Sequence, residues 1–321
     1  MRVHRRFRRL PGPSLGSVAA IGNFDGIHRG HKALIDAARD QAGELGAPLG
    51  IITFEPHPLQ ILRPDKAPKR LTPPRTKAKI LDELGVDCLF ALTFNRAMRE
   101  RSPEAFVQDI LVDALGVRHV VVGYDFRFGH RAKGDTALLA ELGEHLGFGV
   151  TKVEPVSWRG EVCSSSRIRL AVEAGDIALA SDLLGHSFVL EGRVIPGDRR
   201  GRKLGFPTAN IRPPKGTGLW PPAGIYAVRV AIEEGGREIL ADGAASLGVR
   251  PTFDDRQGRL LEIHLLDRTA DLYGKRLCCR IVARIRDEEK FADVEALRAQ
   301  MTKDCDQARA ILAKPGHHPH I

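Results

Sequence analysis

The hydrophobic pattern changes character near residue 185. Before that point, short apolar runs at 17–22, 49–54, 87–94, 119–124 and 149–155 read as strands. Stretches of helical period separate them, at about 30–45 and 76–84. A further helix opens with Ser102 as N-cap and Pro103 in the first helical position, and Asp135 caps another. Strand–helix alternation implies a parallel sheet with right-handed crossovers, a doubly wound α/β domain. Ligands of such sheets sit beyond the carboxyl ends of the strands.

After residue 185, period-two runs follow one another at 188–194, 225–232, 260–266 and 277–285, parted by Gly and Pro turns. Only 293–312 is clearly helical. This half predicts a small antiparallel barrel or sandwich with a C-terminal helix. The boundary falls at 184–187, giving domains 1–185 and 186–321, and no internal repeat is visible.

Composition narrows the setting. At 321 residues the chain is long enough for two domains, and no apolar run approaches the roughly 20 residues of a membrane span. The arginine-rich start, 1–13, is followed by no signal-peptide core, so a cytoplasmic protein with no membrane partner is expected. Five cysteines, an odd number with an adjacent pair (Cys278, Cys279) and no C-x-x-C, argue against a disulfide framework or zinc site. The tail histidines His317, His318 and His320 read as a solvated end. The stretch 63–77, basic and proline-rich, reads as a solvated mobile loop. A net charge of +9 favours anionic partners, either nucleic acid or nucleotides. Aromatics at 6% do not interleave with the basic clusters, which disfavours a stacking platform for single strands.

Motifs carry the choice further. After the first strand comes Gly22-Asn23-Phe24-Asp25-Gly26-Ile27-His28-Arg29-Gly30-His31, leading into a helix. Glycines let backbone approach a ligand, and a helix start offers N–H groups to phosphate. His28 and His31 can face one anion, as the α-phosphate of a nucleoside triphosphate would require. Farther on, Ser164, Ser165 and Ser166 open a helix, with Arg167 and Arg169 one turn in, a candidate phosphate clamp. Alone, this reads as an ordinary serine cap with exposed arginines, and the histidine motif is what favours the clamp.

The second half has no G-x-x-x-x-G-K-[ST] loop. It offers Gly197, then Gly201-Arg202-Lys203-Leu204-Gly205-Phe206-Pro207-Thr208-Ala209-Asn210. In extended chain Thr208 and Asn210 point the same way, and both carry oxygens suited to Mg²⁺. Taken by itself, P-T-A-N reads more readily as a turn. Glu262 lies on the opposite strand face from Leu261, Ile263 and Leu265, and an exposed strand glutamate would look the same.

With these motifs in family order, the chain resembles the bacterial bifunctional riboflavin kinase/FAD synthetase family. Phe54-Glu55-Pro56-His57-Pro58, Gly123 to Gly129, Gly224-Ile225-Tyr226-Ala227 and Gly248 to Phe253 add to the match, which covers nearly the whole chain. The resemblance implies a Rossmann-like nucleotidyltransferase domain followed by a kinase barrel. It implies riboflavin, FMN, FAD and ATP as ligands, with Mg²⁺ and no permanently bound cofactor or nucleic acid. Self-association is compatible with it. His28 and His31 would serve adenylyl transfer, with Gly22, Phe24, Asp25, Gly30, Asp125, Ser164, Ser165, Ser166 and Arg169 around ATP. Phe54, Pro56, Pro58 and Phe128 would hold the flavin. In the kinase half, Gly197, Gly201, Lys203, Gly205 and Pro207 would border ATP, Thr208 and Asn210 would hold the metal, and Glu262 would be the base. Two departures are Ser166, where the family usually has threonine, and Ser246, where many relatives have asparagine. Another acceptor for nucleotidyl transfer, or a basic flavin- or RNA-binding regulator, are the competing readings. A class I aminoacyl-tRNA synthetase would need a K-M-S-K-S-like loop that is missing.

Overall fold

The computed structural model describes residues 1–5, 12–197, 201, 204–212, 218–234, 237–250, 258–268 and 270–314. The chain folds as two compact units, 1–68 with 74–164, and 69–73 with 165–321.

The first unit is a six-stranded parallel sheet. Its strands are β1 (Arg2–His4), β2 (Val18–Ile21), β3 (Leu49–Glu55), β4 (Cys88–Thr93), β5 (His119–Gly123) and β6 (Gly149–Val153). Their order is β1-β4-β3-β2-β5-β6. Helix α1 (Arg29–Leu45) packs on β2, β3 and β5. Ala19 and Ile21 of β2, on alternate positions, join a core with Phe106, Ile110, Leu111 and Leu139. These come from α5 (Pro103–Phe106), its π-helical continuation 107–112, and α6 (Thr136–Leu146). The predicted caps are present. Ser102 Oγ accepts from Ala105 N at 3.1 Å, and Asp135 Oδ1 from Ala137 N and Leu138 N at 3.1 and 3.0 Å. Short helices α2 (Pro58–Leu62) and α4 (Arg96–Glu100), and a two-stranded ribbon of β7 (Ser157–Trp158) and β8 (Glu161–Val162), complete the unit.

The stretch 63–77 corrects the sequence reading. Arg70, Leu71 and Thr72 are buried, Leu219 N donates to the Arg70 carbonyl at 2.8 Å, and α3 (Pro74–Glu83) begins inside the supposed loop. Thr76 and Lys77 are buried with Ile80 and Leu81. One turn separates 77 from 80 and 81, so they share a helix face.

The second unit is a closed antiparallel barrel. Its strands are β9 (Phe188–Ile195), β10 (Ala209–Arg212), β11 (Gly224–Glu234), β12 (Arg237–Arg250), β13 (Gly258–Leu265) and β14 (Arg276–Arg286), in the order β10-β13-β12-β11-β14-β9. Pairing of β10 with β9 closes the ring, which removes sheet edges. Ile211, Leu261, Ile263, Tyr226, Val228, Ala245 and Leu247 alternate into the interior and are buried. Helix α9 (Val294–Leu312) lies on the outer face, where Cys305, Ala308 and Leu312 cluster with Ala227, Ala244, Leu266 and Val282. A bidentate pair anchors it: Arg286 Nε and Nη2 each donate to Asp304 at 2.8 Å. Helices α7 (Ser165–Ala174) and α8 (Ile177–Leu184) belong to this unit, α8 packing on β9 and β14.

Candidate active sites

In the first unit, chain order runs from β2 to β3 and β4 on one side and returns to β5 and β6 on the other. Strand order therefore reverses between β2 and β5, where a doubly wound sheet opens a crevice at its carboxyl end. The loop 22–28 leaves β2 at that point and the segment 124–129 leaves β5.

His28 is the N-cap of α1, in extended backbone, and its side chain makes no capping hydrogen bond. The rings of His28 and His31 are stacked, with centroids 3.8 Å apart, and Phe24 lies 5.0 Å from His31. Gly30 makes this stack fit. A Cβ there would meet His28 Cε1 at 3.1 Å. His31 Nδ1 is buried with no hydrogen-bond partner among the described residues. Burial pushes the His31 imidazole well below its usual pKa, and the charges of His28 and Lys77 push it the same way. His31 is therefore neutral near pH 7, with a ring nitrogen available to an incoming ligand.

The loop itself is held under strain. Phe24 and Ile27 have φ of 47° and 46°, in the left-handed region, although both are fully buried. Each such residue costs of order 1–3 kcal/mol and persists only where neighbours over-determine it. The Asn23 carbonyl accepts from Thr53 Oγ1 at 3.1 Å and from Lys77 Nζ at 2.8 Å, and Gly22 N donates to the Ile52 carbonyl at 3.1 Å. Asp25 is buried within the loop. Asp125, at the start of the segment after β5, is exposed.

At the carboxyl ends of β3 and β4 runs a row of phenylalanines. Neighbouring centroids are 5.9 Å (Phe94 to Phe54), 6.4 Å (Phe54 to Phe106), 5.8 Å (Phe106 to Phe128) and 5.5 Å (Phe128 to Phe126) apart. Phe54 is half-buried and Phe128 is buried within the row. Pro56 follows Glu55 through a cis peptide bond, and Pro58 opens α2. Ser164 ends the first unit. Ser165, Ser166 and Arg169 lie on α7 in the second, where Arg169 Nε donates to the Lys69 carbonyl at 2.8 Å.

The second site is a row across paired strands. Asn210 of β10 stands opposite Glu262 of β13, and Glu262 opposite Ser246 of β12. Cross-strand neighbours hold their Cβ atoms about 4.5–5.5 Å apart. The row faces outward, because Ile211, Leu261, Ile263 and Leu247 on alternate positions fill the barrel. Asn210 is buried, and its Oδ1 has no hydrogen-bond partner among the described residues. Gly197 permits this placement. A Cβ at 197 would lie 2.2 Å from Asn210 Nδ2. The chain from Gly201 reaches the row through exposed Gly205 and Pro207 and half-buried Thr208. Here His264 Nδ1 lies 2.9 Å from the Pro207 carbonyl, and Phe206 meets the His264 ring edge-on at 5.3 Å. Lys203, the motif residues 251–253 and the tail histidines His317, His318 and His320 lie outside the described residues.

Sequence reasoning missed Thr53 and Lys77 beneath the histidine loop, and Phe94, Phe106 and Phe126 in the aromatic row. Lys77 carried a readable signal, since it falls on the apolar face of α3 with Ile80 and Leu81.

Comparison with known proteins agrees with this geometry. Residues 12–167 match a family model for FAD synthetase and residues 184–312 one for riboflavin kinase. A bifunctional riboflavin kinase/FMN adenylyltransferase of Escherichia coli K12 is 40% identical over 305 residues, 94% of this chain and 96% of that one. One from Pseudomonas fluorescens is 41% identical over 317 residues, 99% and 100% of the two chains. One from Bacillus subtilis is 37% identical over 295 residues, 91% of each. A crystal structure of a macrolide-efflux protein from Streptococcus pneumoniae superposes with a TM-score of 0.82 at 29% identity, over 96% of this chain and 98% of that one. Among the described residues no helix is long and apolar enough to cross a membrane. Full-length relatedness and two matching domain models lead to one conclusion: the chain belongs to the bifunctional riboflavin kinase/FMN adenylyltransferase family.

Proposed function

We propose that the two sites act in sequence, the barrel converting riboflavin and ATP to FMN, and the first unit joining FMN to AMP from a second ATP. FAD and pyrophosphate are the final products. The functional division is placed at 185/186. In support, the first family model ends at 167, in the first turn of α7, and the second begins at 184, the last residue of α8, although both helices cluster with the second unit.

One observation carries the kinase assignment: a buried amide oxygen without a partner among the described residues, Asn210 Oδ1, directly opposite a carboxylate, Glu262. Glu262 takes the proton of the ribityl 5′-hydroxyl as its oxygen attacks the γ-phosphorus, and ADP leaves. Thr208 and Asn210 offer neutral oxygens of the kind Mg²⁺ prefers, and an ion held there would offset the charge of the triphosphate. The glycines at 197, 201 and 205, with Pro207 and Lys203, border the nucleotide.

In the first unit, a phosphate oxygen of FMN attacks the α-phosphorus of ATP and pyrophosphate departs. His28 and His31 donate hydrogen bonds to the oxygens where charge grows, supported by the N–H groups at the start of α1. Gly22, Phe24, Asp25, Gly30 and Asp125 surround the nucleotide, and Ser164 binds its phosphates. Phe54, Pro56, Pro58 and Phe128 hold the flavin ring, Phe54 and Phe128 flanking Phe106 in the aromatic row.

Nucleotides, not nucleic acid, are then the anionic partners of a chain with net charge +9. A cytoplasmic setting is supported by five free cysteines. Self-association is compatible with both sites. The test is direct: incubate the purified protein with riboflavin, ATP and Mg²⁺ and separate the flavins by chromatography. FMN should appear first and FAD after it. Absence of both products would refute the reading.

A further inference from the structure

Lysine is rarely buried, and when it is, the ammonium needs partners. Lys77 is buried on α3, its Nζ 2.8 Å from the Asn23 carbonyl and 3.4 Å from Glu55 Oε1. Asn23 is the residue just before the strained segment. Phe24 and Ile27, at φ of 47° and 46°, must be held from outside, and the Asn23 carbonyl is where two side chains take hold. Thr53, at the far end of β3, is the other. His28 and His31 follow directly, so an error at Asn23 is carried into the histidine stack.

We propose that Lys77 is a positioning residue for adenylyl transfer, its ammonium fixing the Asn23 carbonyl and so the strained loop that delivers His28 and His31. The inference rests on the assignment of adenylyl transfer to this site. Lys77 also acts on the site through its charge. His31 is surrounded by protein and faces His28 and Lys77, and burial followed by these two charges disfavours its protonation. Removing the ammonium relieves one of those charges, whatever reaction the site performs.

The experiment compares wild type, Lys77→Met, Lys77→Arg and Thr53→Val in the full chain. FAD formation from FMN and ATP should lose roughly 10- to 100-fold in kcat in Lys77→Met, the worth of a hydrogen bond to a charged group. KM for ATP should stay within about threefold, because the lysine orients the histidines and does not bind substrate. Lys77→Arg keeps the charge and a donor and should recover part of the rate. In the ligand-free protein, the His31 ring followed by NMR should titrate at higher pH in Lys77→Met than in wild type. Riboflavin phosphorylation by the same preparations should be unchanged, and a cooperative unfolding transition read from Trp158 in a Trp220→Phe background reports that the first unit is folded. A Lys77→Met enzyme with wild-type kcat and an unmoved His31 titration would overturn the proposal. Should that variant also lose kinase activity, Thr53→Val decides: a loss of threefold or more in adenylyl transfer alone supports the clamp, and a wild-type rate refutes it. If wild type itself forms no FAD, the assignment of the site fails, while the His31 titration still tests the lysine.

Discussion

The first unit presents its chemistry from a loop and a helix start, whereas the second presents it from neighbouring strands of a barrel. The loop holds Phe24 and Ile27 in left-handed backbone and brings His28 and His31 into a stack 3.8 Å apart. The strand row needs no such strain. Period-two alternation turns Asn210, Glu262 and Ser246 outward while their neighbours Ile211, Leu261 and Leu247 fill the barrel. A loop site therefore depends on anchors outside its motif, and a strand site depends on register. A one-residue slip of β13 would exchange Glu262 for an aliphatic neighbour.

The largest expected effect falls on the strand site. Glu262→Gln keeps shape but cannot take a proton at neutral pH, so kinase turnover should fall by roughly 10²–10⁴. FAD formation from supplied FMN should stay at the wild-type rate. A kinase loss below about threefold would make Glu262 a bystander.

Next in size is the anchor of the terminal helix. Asp304→Ala breaks a largely buried bidentate pair, which should cost about 3–5 kcal/mol, although Arg286 keeps its bond to the Asp287 carbonyl. The two tryptophans, Trp158 and Trp220, fall one in each unit, so a Trp158→Phe background reports the barrel by fluorescence. Denaturant unfolding in that background should shift. With Trp220→Phe, the first unit should unfold as before, and equal shifts in both would show that the units do not unfold separately.

If His31 donates to developing charge as proposed, His31→Ala should slow adenylyl transfer roughly 10²–10³-fold, leaving FMN production intact. Equal losses in both reactions would point to one shared site.

The smallest effect is on acid sensitivity. His31, His4 and His119, all in the first unit, have lowered pKa values, each chiefly through burial. Their imidazoles stay neutral in the fold but take protons in the unfolded chain below about pH 6.5. Stability present above that pH is thus lost on acidification, by at most about 1.4 kcal/mol per pH unit for each group. Between pH 7 and 5.5 the first unit should therefore lose stability, as read from Trp158 in the Trp220→Phe background. Unfolding midpoints that hold constant across that range would show that these three burials contribute nothing to acid sensitivity.

Much of this was legible in the sequence, for physical reasons that also explain the gaps. The parallel strands are buried apolar runs, and the caps at Ser102 and Asp135 are side chains whose oxygens accept from the first turn. Strand β12 escaped notice because Ala241, Gly243, Ala244, Ala245 and Gly248 give little hydrophobic alternation, and its partners β11 and β13 fix it as a strand. Strand β1 is a three-residue edge with Arg2 and Val3 exposed, too short to have a period. The histidine motif could be read, but not the strain in its loop, because positive φ at Phe24 and Ile27 comes from tertiary contacts. Lys77 sits on the apolar face of α3, but the basic, proline-rich run before it suggests solvent and outweighs that signal. Opposition of Asn210 and Glu262, far apart in sequence, is a fact of strand register that no local pattern reveals.

The most direct test of two separate sites in one chain is a mixing experiment. Glu262→Gln protein alone, given riboflavin, ATP and Mg²⁺, should yield little FMN and hence little FAD. His31→Ala protein alone should accumulate FMN. Mixed in equal amounts, the two should make FAD from riboflavin, the first variant adenylylating the FMN released by the second. A mixture that still stops at FMN would contradict two independent sites.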